Sequence, residues 1–163
     1  EIQFDDGNTK LLAKDFIPSD FPQEQLIEPK PVSFLAPDGN RVYGQVFEKE
    51  DGKSDKPGVV FVHGGPQRQM LLGWHYSDYY ANTYAINQYL ANSGYVVLAL
   101  NYRLGIGYGY EFHKPSDTYY KGAAEYQDVK AAGVFSRRTI PDRFREERNL
   151  RGAPLEVIAP LWL

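Results

Sequence analysis

Apolar residues in this chain gather into two uninterrupted runs of strand length. One is Val59–Val62 within "GVVFVHGGPQRQ"; the other lies within "YVVLALNY", residues 95–102. A strand that is apolar at every position is buried on both faces, as in a parallel sheet covered by helices. Between the two runs, Tyr79, Thr83, Ile86 and Leu90 recur at helical spacing, which predicts a helix with one inward face. Ser77 is placed to cap its start, Asp78 complements the dipole of its first turn, and Asn92-Ser93-Gly94 ends it. Strand, helix and strand in that order predict a right-handed crossover joining parallel strands.

Upstream, "VSFLAPDGNRVYGQVFE" reads as two strands around a turn at Pro37-Asp38-Gly39-Asn40. The polar stretch "KEDGKSDKPG" reads as a surface loop leading into the buried strand at 58–63. Pro18, Pro22, Pro29 and Pro31 keep "IPSDFPQEQLIEPKP" extended, so residues 1–30 are expected to be a linker leaving a preceding domain. A second helix is expected over Ala123–Ala132, with Tyr126 and Val129 facing inward. Residues 31–132 then form one α/β unit. The character of the chain changes over 133–163, where "VFSRRTIPDRFREERNLRGAPLEVIAPLWL" lacks an alternating apolar pattern and a strand of useful length.

Composition narrows the picture slightly. The chain of 163 residues is long enough for one domain with a core. A formal charge of −3 gives no electrostatic reason to expect a nucleic-acid partner. The absence of cysteine excludes disulfides and thiolate metal sites, and leaves both a cytoplasmic and a periplasmic or secreted location open. No apolar run approaches membrane-spanning length, and no signal peptide opens the chain. The start at "EIQFDDGN", without methionine, reads as a cut in a longer protein. Thirteen tyrosines among 15% aromatic residues suit a large folded hydrolase better than a disordered linker.

The candidate chemistry lies where the first buried run stops. His63-Gly64-Gly65-Pro66 removes side chains at the C-terminal end of a central strand, the end at which open α/β sheets bind ligands. The plainer reading is a tight turn; the sharper one is a backbone amide left bare for a substrate oxygen. In α/β-hydrolases the loop at this place supplies one amide of the oxyanion hole. A zinc site is not expected, because spacings of 12 and 38 residues between His63, His75 and His113 match no compact ligand motif. Gly105-Ile106-Gly107-Tyr108-Gly109 lacks the spacing of a nucleotide loop and reads as turn chemistry. No cofactor is expected. Tyr76, Tyr79, Tyr80 and Tyr84 are expected to pack on the sheet.

"VVFVHGGP", "YLANSGYVVLALNYR", "GIGYGYEFH" and "GAAEYQDVKAAG", in this order, resemble the catalytic domain of the prolyl oligopeptidase family of serine peptidases. That family includes dipeptidyl and acylaminoacyl peptidases. "SDFPQEQLIEP" is similar to the exit from the β-propeller that precedes the hydrolase domain in this family. The resemblance covers about residues 29–132 and implies the N-terminal part of an α/β-hydrolase fold, truncated before the nucleophile elbow. It implies hydrolysis of a peptide substrate through an acyl-enzyme, with the Gly65 amide in the oxyanion hole and His63, Gly64 and Pro66 shaping the substrate side of the loop. Several relatives carry a tyrosine at the position of His63, from which histidine departs. Arg103, Glu125 and Asp128 match charged family positions and are expected to stabilise the fold.

The Ser-Asp-His triad is missing from this sequence, which has no G-x-S-x-G; family spacing puts the nucleophile near position 153. The chain alone is therefore expected to be inactive. The tail admits a specific explanation: coding sequence read out of frame. Read one base later, the codons of Arg148–Gly152 can encode G-I-Y-G. Read two bases later, those of Arg151–Trp162 can encode G-G-S-[LF]-G-G-Y-x-T-A-L-A. Two other readings stand beside the peptidase. An esterase on the same fold would normally carry a third glycine where Pro66 stands, and a truncated product would have no catalytic role.

Overall fold

The computed structural model describes residues 2–5, 8–11, 14–53, 56–139 and 156–158. Strands β1 (Ile2–Asp5) and β2 (Asn8–Leu11) form a two-stranded antiparallel sheet of their own. The main sheet holds β3 (Lys30–Leu35), β4 (Arg41–Phe47), β5 (Gly58–Val62), β6 (Val96–Asn101) and β7 (Glu156–Ile158). Its strand order is β3-β4-β6-β5-β7. The expected hairpin is present: β3 and β4 pair antiparallel, and the Ala36 N–H donates to Asn40 O across the turn at 2.8 Å. β4 pairs antiparallel with β6, while β6, β5 and β7 run parallel.

Helices α1 (Asp78–Asn92) and α3 (Ala124–Thr139) cover the sheet, and a single turn, α2 (Tyr110–His113), follows β6. Side chains alternate across a strand, so each buried run feeds two cores. Val59 and Phe61 join Val97 and Ala99 beneath Tyr80, Tyr84 and Ala91 of α1. Val60 and Val62 join Leu98 and Leu100 against Ala131, Ala132 and Phe135 of α3. This accounts for the uninterrupted apolar pattern of β5 and β6.

Both helices are rotated from the expected faces. On α1, Tyr79 and Ile86 point to solvent (51% and 54% exposed), Thr83 is buried, and Leu90 packs at the margin of the core. Polar Gln88 is buried because its amide is fully used: Oε1 accepts from the Ile27 N–H and Nε2 donates to Ile27 O, both at 2.7 Å. Asn92 Nδ2 donates to Gln25 O at 2.9 Å. Residues 25–27, expected to be plain linker, are thus seated on α1. Ser77 stands at the N-cap in extended conformation, with no side-chain cap bond.

On α3, Tyr126 is 59% exposed, while Val129 packs inward as expected. Ala124, Ala131 and Ala132 let the helix approach the sheet closely. The helix continues past residue 132: Phe135 stacks on Phe34 at 4.5 Å, and Ser136 is buried. In the tail, the described residues hold the three-residue β7, which lies against β5 with Val157 opposite Val60. Of the expected surface loop, residues 49–53 are exposed, while Lys56 is buried, ion-paired to Asp51 at 2.7 Å and hydrogen-bonded to Lys49 O.

Candidate functional site

The site is built on the turn that ends β5. Two tyrosines secure it from below. The Tyr102 hydroxyl donates to His63 O, and the Tyr80 hydroxyl donates to Gly64 O, each at 2.8 Å. Burial raises the Tyr102 phenol to about 12, so it keeps the proton it donates. With two successive carbonyls held inward, the chain turns at Gly65, whose φ of +62° is a conformation that suits glycine. Gly65 is exposed, and its N–H has no acceptor among the described residues.

His63 lies inside the protein. Its ring is 1% exposed and stacks on Tyr102 at 4.5 Å, with Tyr80 edge-on at 6.4 Å. Burial first, and the charges of Arg68 and His75 to a lesser degree, lower its pKa to about 4 against the pull of the Gly64 carbonyl. Nε2 has no hydrogen-bond partner among the described residues. The imidazole is therefore neutral, and its burial fits a residue that shapes the loop from beneath. What His63 does is fill the space under the loop.

Beyond Pro66 the loop is pinned to the end of β6. The Arg68 N–H donates to Pro66 O at 2.7 Å, and the Ile106 N–H donates to Arg68 O at 3.1 Å. Asn101, 2% exposed, engages both backbone groups of one residue: its Oδ1 accepts from the Met70 N–H at 2.7 Å and its Nδ2 donates to Met70 O at 3.0 Å. The same amide donates to the Tyr108 hydroxyl at 3.0 Å, and Tyr108 stacks on Tyr43 at 4.1 Å. Glycine at 105 permits this approach, because a Cβ there would stand 2.8 Å from Arg68 O. The glycines of 105–109 thus serve turns and close packing.

The remaining polar residues named from sequence do other work. His75 Nδ1 accepts from the Ser77 N–H at 2.9 Å, and His113 Nδ1 lies 3.2 Å from the carbonyls of Leu104 and Gly105. Among the described residues no three His, Cys, Asp or Glu side chains converge as metal ligands, and no serine hydroxyl bonds a histidine. Arg103 grips Asp128 through its backbone N–H (2.8 Å), Nε (3.1 Å) and a terminal nitrogen (2.7 Å), and reaches Asp38 at 2.5 Å. Burial opposes its charge, but the bonds to Asp128 and Asp38 outweigh burial and raise its pKa. Glu125 accepts from the Tyr119 N–H at 3.1 Å. These three stabilise the fold, as expected. Tyr80 and Tyr84 pack on the sheet, but Tyr76 and Tyr79 face solvent.

Sequence reasoning passed over Asn101 and Arg68. A signal for Asn101 was present: an amide closing a wholly apolar strand, at the sheet edge where the loop must be held.

No family model matches the chain. Dipeptidyl aminopeptidase BIII of Pseudoxanthomonas mexicana is 44% identical over 64 residues, covering 38% of this chain and 8% of that protein. Among solved structures, a puromycin-hydrolyzing peptidase of Mycobacterium tuberculosis superposes with a TM-score of 0.60 at 22% identity, over 86% of this chain and 22% of its own. Acylaminoacyl peptidase of Pyrococcus horikoshii superposes with a TM-score of 0.58 at 24% identity, over 85% and 21%. The chain has part of an α/β-hydrolase fold, and spans under a quarter of the length of these relatives. The matches bear out the resemblance to prolyl oligopeptidase-family peptidases.

Proposed function

We propose that this chain supplies the oxyanion side of a serine peptidase active site, with the Gly65 N–H as one of the two donors. The observation that carries the reading is an exposed amide without an acceptor among the described residues, on a turn whose two preceding carbonyls are tied down by Tyr80 and Tyr102. An amide fixed in advance loses little on reorganisation when charge develops on the attacked carbonyl. One such donor contributes about 2.7–4 kcal/mol to the transition state.

The strand order supports the same reading. β5 has parallel neighbours on both sides, so the turn after β5 and the turn after the strand beside it open at one sheet edge. A nucleophile elbow on a parallel strand in the place β7 takes here would face the Gly65 loop across a single strand spacing; β7 itself follows position 153 and is not that strand. The serine of that elbow would attack the peptide carbonyl, activated by a histidine and an acid that follow it in the chain. Position 153, where the resemblance puts that serine, lies outside the described residues. Gly64 and Pro66 line the substrate side of the loop, and the substrate class is peptides.

In the gene product that carries the triad, Gly65→Val forces a β-branched residue into positive φ and moves the donor. Turnover of a dipeptidyl anilide should fall in kcat by roughly 10²–10³. A folded variant with unchanged kcat would remove Gly65 from the reaction.

A further inference from the structure

A cation stands beside the bare amide. A carbon added at Gly65 would lie 3.8 Å from Arg68 Nε, which places the guanidinium side of Arg68 beside this glycine. Arg68 Cζ is 5.9 Å from the ring centroid of Tyr80, whose hydroxyl already holds Gly64 O. The Arg68 backbone is tied on one side to Pro66 O and on the other to the Ile106 N–H. Three cations are matched by carboxylates: Arg103 by Asp128 and Asp38, Lys56 by Asp51, Lys30 by Glu50. Among the described residues Arg68 has no carboxylate partner.

We propose that the Gly65 N–H and the Arg68 guanidinium together form a two-donor site for a negatively charged oxygen. The inference rests on the reading of Gly65 as an oxyanion donor and deepens it. The His63 side chain is buried beneath the loop, so it is Arg68 that brings a second donor to the exposed side of Gly65. A guanidinium stays charged at every relevant pH and binds an anionic oxygen through charge-assisted bonds. The loop offers one backbone donor and one cation and no opposing carboxylate, so it selects charge. Two sources give that chemistry: the tetrahedral oxyanion of a carbonyl under attack, and the planar carboxylate at the end of a short peptide.

The test is an amide-resolved NMR titration of the 163-residue chain, labelled with nitrogen-15, at low ionic strength. Sodium acetate, methylphosphonate and neutral acetamide are added in separate series. The Gly65 N–H and the Arg68 Nε–H should shift together and saturably with the anions, and acetamide should leave both in place. Arg68→Gln, an exposed change that keeps the spectrum otherwise intact, should weaken anion binding about tenfold. Tighter binding of methylphosphonate assigns the site to the oxyanion, and tighter binding of acetate assigns it to a peptide carboxylate. Equal midpoints in the two proteins would overturn the role of Arg68 while leaving Gly65 as a donor. No saturable shift at Gly65 would overturn both.

Discussion

His63 shows how far a residue's setting can override its usual chemistry. A histidine next to two glycines at a sheet edge suggests a polar role, yet its ring is buried against Tyr102 and is held neutral. Its pKa falls from 6.5 to about 4 on folding, so between those values the unfolded chain binds the extra proton. Its contribution to stability is complete above about pH 6.5 and is lost as the pH falls toward 4. The full span corresponds to about 3 kcal/mol. Urea unfolding at a series of pH values between 6.5 and 5 should show this slope. In His63→Phe, which keeps the stacked ring, the slope should be flatter; an unchanged slope would assign it to other groups. Gly65 is the opposite case. Its place on an open turn was legible in the sequence, because two glycines after a buried strand mark where the backbone must turn, and φ is +62° there.

At the scale of elements, the ion pair between β6 and α3 decides where the second helix sits. Asp128 is wholly buried and takes its bonds from Arg103, so removing it strands a guanidinium in the interior. Asp128→Ala should cost roughly 3–5 kcal/mol, read as a lowered denaturant midpoint. Glu125→Gln, one turn away and partly exposed, should change the midpoint by less than about 0.5 kcal/mol. The existence of α1, α3, β5 and β6 was readable from periodicity, but the faces of the helices were not. On α1 the inward stripe passes through Gln88, whose amide is satisfied by the backbone of Ile27, a partner 61 residues away. Ile86→Ala should therefore shift stability by less than about 0.5 kcal/mol, whereas Tyr84→Ala, which empties a core position, should cost about 3 kcal/mol or more. Comparable losses in the two variants would show that the helix is seated differently.

For the molecule as a whole, the question is how the sheet continues beyond β5. Three residues, Glu156–Ile158, pair with β5 in parallel where a longer buried strand would complete the layer. The preceding helix packs on the sheet as far as Phe135, and at Ser136 it buries a hydroxyl with no partner among the described residues. The arginine-rich character of the tail therefore sets in while α3 is still being formed. The proposal that this tail is coding sequence read out of frame has a direct check. The nucleotides of codons 134–163 should encode a G-x-S-x-G elbow in one of the other two frames, and if neither frame does so the proposal is dead.

The sequence by itself determined the layers and the place of the loop. Continuous apolar runs require burial on both faces, helical spacing puts helices between them, and glycines mark where backbone must stay open. Only the tertiary structure decided which polar groups belong inside. Gln88, Asn101, Asp128 and His63 are buried because each meets a partner or a ring from a distant part of the chain, and local pattern carries no record of such meetings.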